Sequence, residues 1–180
     1  MLLGGLELEW VSDLKYLGIM FKTGPCLKVD TSYIKRKFYT SCNAILNHCK
    51  SADDIIKLAM VKTYCLPLLT YCLGALDLPR HCVQDLAVCW NDCFRHIFRY
   101  NRYESVTDVQ YFCNELPLEL LYDLLRWKFL SYVSHVPVAL RTLFNFQWHV
   151  LCEISKQYGH AVSGYGMKQL VFRNFALSRS

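Results

Sequence analysis

The chain has no uninterrupted apolar run long enough to cross a membrane. Its most apolar stretch, residues 58–76, is broken by Lys62, Thr63, Pro67 and Thr70, which marks it as buried core helix. Nor is there a secretory leader pattern, because Glu7, Glu9 and Asp13 interrupt the N-terminus where a signal would need continuous apolar residues. Charge is scarce at 19% against 53% hydrophobic residues, which excludes a disordered polyelectrolyte and favours a packed domain. No Gly-x-Ser-x-Gly elbow, glycine-rich phosphate loop, internal repeat or low-complexity tract is present. These absences leave an intracellular globular protein that takes no membrane as partner.

What is abundant is cysteine, ten in 180 residues. Three pairs recur at a spacing of seven (42 and 49, 65 and 72, 82 and 89) inside apolar helical stretches, where cysteine acts as a small hydrophobe in a reducing compartment. Cys82, Cys89, Cys93 and His96 can be drawn as a zinc set, but the short CxxC hairpins of zinc modules are missing, so the expectation is no metal and no cofactor.

The positive charge is also unevenly placed. Residues 11–50 hold seven basic side chains (Lys15, Lys22, Lys28, Lys35, Arg36, Lys37, Lys50) against Asp13 and Asp30, which is the whole net charge of +5. Such clustering fits either a polyanion-facing surface or a solvated charged face. Tyr33, Tyr39, Tyr100 and Tyr103 lie close enough in sequence to add ring contacts to nucleic acid.

Along the chain, 6–11 and 14–21 alternate as two strands joined near Ser12 and Asp13, and Gly24-Pro25 ends the pattern. Helical periodicity starts near Thr31. Ser51 with Asp54 reads as a capping box for a helix reaching about 73, with a kink or a break near Leu66 imposed by Pro67. Further helices are expected over about 79–100, 106–113, 117–133 and 137–159, and the glycine-bearing last twenty residues read as loose. On the third helix Arg95, Arg99 and Arg102 fall at i, i+4 and i+7. The adjacent aspartates of "SADD", 51–54, could pair on divalent metal as in polymerase palms, but their flanks are helical and the helix-cap reading is preferred.

Four stretches in this order give the chain a wider resemblance. They are "LKYLGIMF" (14–21), "CNAILNHCKSADDIIKLAMVKTYCLPLLTYCLGAL" (42–76) with Tyr64, Pro67, Leu69 and Tyr71, "WNDCFRHIFRYNRYESV" (90–106) and "RWKFL" (126–130). Together they resemble the last palm hairpin, thumb and following helices of the reverse transcriptase of LINE-type non-LTR retrotransposons. The resemblance implies a mainly α (α+β) fold: a palm-edge β-hairpin over 1–25, a thumb-like bundle of five or six helices within 26–135, an additional helix in 136–160 and a loose tail over 161–180. It implies that Lys15, Tyr16, Leu17 and Gly18 occupy a primer-grip-like position. Lys35, Arg36 and Lys37 would face duplex phosphates, with Arg95, Arg99 and Arg102 as a second surface.

The partner implied is an RNA-DNA or other template-primer duplex. In that family the palm and its Mg-binding aspartates precede the Tyr-Leu-Gly hairpin. Because this chain starts close to that hairpin, no polymerisation by the chain alone is expected, and Met1 reads as an internal methionine or the start of a decayed copy. Helix faces meant for the palm would then be open to self-association. The alternative is a small helical interaction protein of retroelement origin that binds no nucleic acid.

Overall fold

A two-residue turn decides how the chain begins. In the computed structural model, which describes residues 2–3, 6–7, 9–24, 28–135, 148–159 and 164–178, the alternating stretch 14–21 is not one strand. Leu17 and Gly18 both have positive φ, +45° and +83°, the backbone of a type I′ turn, whose twist matches the strands it joins. The segment therefore folds back on itself as β3 (Asp13–Tyr16) and β4 (Ile19–Lys22), with Asp13 opposite Lys22 and Tyr16 opposite Ile19. The expected pairing of 6–11 with 14–21 is replaced. Residues Leu2–Leu3 (β1) and Leu6–Glu7 (β2) make their own antiparallel pair instead. On the other edge of β4, β5 (Lys28–Val29) completes a three-stranded antiparallel sheet in the order β3-β4-β5. The Ser12 carbonyl accepts from the Thr23 N–H at 2.8 Å and from its hydroxyl at 3.0 Å, closing the open end of the hairpin.

Eight helices follow among the described residues. In α1 (Thr31–His48) the Asp30 carboxylate accepts from the Ser32 N–H at 3.0 Å, and Ile34, Phe38, Cys42 and Leu46 are buried one turn apart. Helix α2 (Asp54–Tyr64) is capped by Asp53, whose carboxylate accepts from the Ile55 N–H at 3.3 Å. The helix-cap reading of "SADD" thus holds, with Asp53 rather than Ser51 as the cap. At Pro67 the helix breaks: α2 stops at Tyr64, and α3 (Leu66–Thr70) begins anew with Pro67 in its first turn, where the missing N–H costs nothing.

Helices α4 (Arg80–Phe98), α5 (Thr107–Phe112) and α6 (Leu118–Ser134) lie close to their expected spans. Next in the described chain come α7 (Trp148–Tyr158) and α8 (Gly164–Leu177). The tail expected to be loose over 161–180 carries α8, and its buried Met167, Val171 and Phe175 recur at helical spacing. The N-terminal half of the helix expected over 136–160 lies outside the described residues.

Two apolar clusters hold these helices. In the first, α4 buries Leu86, Trp90 and Phe94 completely against Phe38 of α1, Val61 of α2 and Leu69 of α3. The Trp90 and Phe94 rings meet edge to face, 5.0 Å between centroids. In the second, Leu124 and Trp127 of α6 pack with Ile154 and Tyr158 of α7 and with the α8 residues. Cysteine behaves as core. One member of each spaced-by-seven pair is buried (Cys42, Cys65, Cys89), the other half-buried, and all nine described cysteines are free thiols. The Cys42 and Cys93 sulfurs touch at 3.4 Å.

The loop from Tyr71 to Pro79 is stitched to α6. Arg126, 1% exposed, donates to the Gly74 carbonyl at 3.4 Å and reaches Asp77 at 3.3 Å. Tyr122 donates its hydroxyl to the Leu76 carbonyl at 3.0 Å and accepts from the Leu78 N–H at 3.1 Å. Gly74 must be small here, since a Cβ would stand 2.7 Å from the Leu125 carbonyl oxygen, a backbone atom that cannot swing aside. Gly74→Ala is therefore expected to cost about 2 kcal/mol, seen as a melting temperature lower by about 5 °C. An unchanged melting temperature would show that the loop does not press on α6 in this way.

Candidate nucleic-acid interface

The hairpin packs on α1 through β4. Ile19 is 5% exposed, while all four β3 residues and the Leu17-Gly18 turn are exposed. Anchoring through β4 leaves the primer-grip-like set, Lys15, Tyr16, Leu17 and Gly18, entirely on the outside. Tyr16 and Leu17 are 62% and 66% exposed, an unusual display for apolar side chains at a turn.

The same seating brings Lys15 to the start of α1. Its ammonium lies 5.6 Å from the centre of the Tyr33 ring, and that of Lys37, one helical turn from Tyr33, lies 4.7 Å from it. Both distances are within cation–π range. The two ammonium groups, Lys37 first and Lys15 second, hold the Tyr33 hydroxyl below the usual tyrosine range. Arg36, also exposed, belongs to the same turn of helix.

The Lys35-Arg36-Lys37 run does not act as a single surface. A helix turns about 100° per residue, and Lys35 is directed to α4, where it pairs with Asp85 at 3.2 Å. Nor do Arg95, Arg99 and Arg102 form a stripe. Helix α4 ends at Phe98, and Arg99 takes a left-handed backbone with φ +61°, so the helical spacing fails before its last member. Arg95 is held by Asp92 at 2.9 Å and donates to the Glu104 carbonyl at 3.2 Å. Arg99 is near Asp54, whose carboxyl is kept below its usual range by the hydrogen bond from Lys57, with a smaller contribution from Arg99. Arg102 is exposed in the turn beyond.

The acidic and cysteine candidates are otherwise engaged. Asp53 caps α2 and Asp54 pairs with Lys57 at 2.9 Å. Cys93 faces Cys42 in the interior, His96 is exposed, and among the described residues no three metal-ligating side chains converge. Of the tyrosines read as possible ring contacts, Tyr39 is spent inside, donating to Asp92 at 2.9 Å, and burial raises its hydroxyl above the usual range.

The sequence names one further participant without singling it out and gives no sign of another. Tyr33 was only one of four nearby rings, although its i, i+4 relation to Lys37 was visible. Tyr71 is exposed, and its ring edge stands 3.7 Å from where a Cβ on Gly18 would be. Fifty-three residues separate the two, and no periodicity links them.

Comparison with known proteins returns no family model, no curated protein and no solved structure that matches the chain. Among the described residues no helix is long and apolar enough to span a membrane.

Leu17 is the strained point of this surface, a branched side chain in a left-handed backbone that asparagine tolerates better. Leu17→Asn is expected to stabilise the protein by about 1 kcal/mol, measured by chemical denaturation. A loss of stability would mean that the Leu17 side chain is held by contacts in solution rather than displayed.

Proposed function

We propose that this chain holds a template-primer duplex by its backbone, in the manner of the thumb region of a LINE-type reverse transcriptase, and does not polymerise by itself. The reading rests on the ordered resemblance of four stretches, and one observation carries it. Lys15 of the hairpin and Lys37 of α1 converge on Tyr33 beside an exposed Tyr-Leu-Gly turn. Two cations that share one ring form a local positive site, and with Arg36 they supply charge without any base-reading geometry. Binding of this kind positions a duplex and is indifferent to sequence. The proposed substrate is an RNA-DNA hybrid or related duplex, and a protein of this kind needs no metal of its own.

A second reading has its own observation. Trp10, Val11, Leu14, Tyr16 and Leu17 are large apolar residues, 47–84% exposed. Leu14 and Tyr16 lie on the edge strand β3, where such residues invite pairing with another chain. On this reading the protein is a helical interaction module, and self-association is its simplest expression.

Binding to a short RNA-DNA hybrid, titrated against salt, separates the two. The duplex-holding reading expects affinity to fall log-linearly with salt. In the Lys15→Glu/Lys37→Glu variant it expects affinity lower by tenfold or more and a slope shallower by about two. No binding at low salt, or an unaltered slope in that variant, would overturn it and leave the interaction-module reading.

A further inference from the structure

Beneath the turn, the hairpin does not close fully onto the helices. A hollow of about 390 Å³ remains, walled by Leu17 and Gly18 of the turn, Tyr33 and Lys37 of α1, and Leu68 and Tyr71 from α3 and its end. Its size lies within the range of small-ligand sites, about 300–1,000 Å³. No acidic side chain lines it, and one wall carries the Lys37 ammonium that shares the Tyr33 ring with Lys15.

We infer that this hollow takes one unpaired nucleotide, its base against the rings of Tyr33 and Tyr71 and its phosphate on Lys15 and Lys37. The inference extends the duplex-holding reading above, because the unpaired nucleotide is the end of the strand that the basic face holds. The walls select the ligand. Two phenol rings and aliphatic side chains suit a flat π-surface of any base, as in proteins that bind single strands by stacking. The cations require that the ring system carry an anion. A paired base cannot enter, since both its faces are stacked and its edge is occupied.

Gly18 gives the reason for glycine in the turn beyond its backbone. Its φ of +83° already favours glycine, and a side chain there would project toward Tyr71 and narrow the mouth of the hollow. Tyr33 forms one wall, its ring shared by the Lys15 and Lys37 ammonium groups.

The test compares a blunt RNA-DNA hybrid with the same hybrid carrying a three-nucleotide single-stranded overhang, by fluorescence anisotropy at fixed salt, and titrates adenosine 5′-monophosphate alone by NMR. The overhang is expected to bind about tenfold more tightly, and the monophosphate to shift the Tyr33 and Tyr71 signals. Both effects should vanish in Tyr71→Ala, which alters an exposed ring, and in Leu68→Trp, which fills the hollow. Circular dichroism checks that each variant is folded.

Equal affinity for blunt and overhanging hybrids, with no shift from the monophosphate, overturns the inference. That outcome leaves the duplex-holding reading standing if the blunt hybrid binds. An overhang advantage that survives both substitutions overturns it as well, because the extra nucleotides then bind elsewhere. If the blunt hybrid fails to bind while the monophosphate shifts both rings, the hollow stands and the duplex reading falls.

Discussion

The indole of Trp90 joins the two halves of this protein. Its ring is wholly buried in the first cluster, edge to face with Phe94. Its N–H donates at 3.3 Å to the carbonyl of Leu116, whose side chain belongs to the second cluster. A buried polar N–H without a partner costs free energy, so the position of the 113–117 turn is tied to that of α4. Helix α4 then fixes α1 through Phe38 and the Cys42–Cys93 contact, and β4 of the hairpin packs on α1. The basic surface is thus the far end of a chain of contacts that starts at one tryptophan.

That arrangement explains how a modest charge excess is used. Of the basic residues in 11–50, Lys22 is held by Asp30 at 3.1 Å and Lys35 by Asp85. Lys15 and Lys37 instead converge on a neutral ring. A ring steadies an ammonium without neutralising it, whereas a carboxylate partner would cancel the charge that a phosphate needs. Sequence counting cannot distinguish these two fates, because it registers only that the lysines are present.

Much of the scaffold was legible because its signals are local. The stripe on α4, the cap role of "SADD", the interruption at Pro67 and the Pro117 start of α6 each follow from residues within a turn or two of one another. Each error has its own local cause. The strand at 14–21 alternates well enough to conceal a turn, because the side chains keep their period on both sides of Leu17-Gly18 while the backbone reverses. The arginine stripe failed because the α4 terminus at Arg99, a left-handed residue other than glycine, lacks the usual stop signal. Helix α8 was hidden by the glycines at 159, 164 and 166, two of which lie within its first turn. Of the site, the participating lysines were visible and their meeting point was not, since Lys15 and Tyr33 are brought together by the hairpin's tertiary seating.

The central claim is that hairpin and first helix form one cationic surface joined at Tyr33. It is tested most directly by titrating the tyrosine hydroxyls by NMR with ring-labelled tyrosine. Because cations favour the ionised phenol, Tyr33 should titrate below the ordinary tyrosine range. In Lys15→Gln/Lys37→Gln its titration should move back up to that range. A Tyr33 that titrates as a free tyrosine in the unsubstituted protein, or that is indifferent to removal of both lysines, would contradict the account.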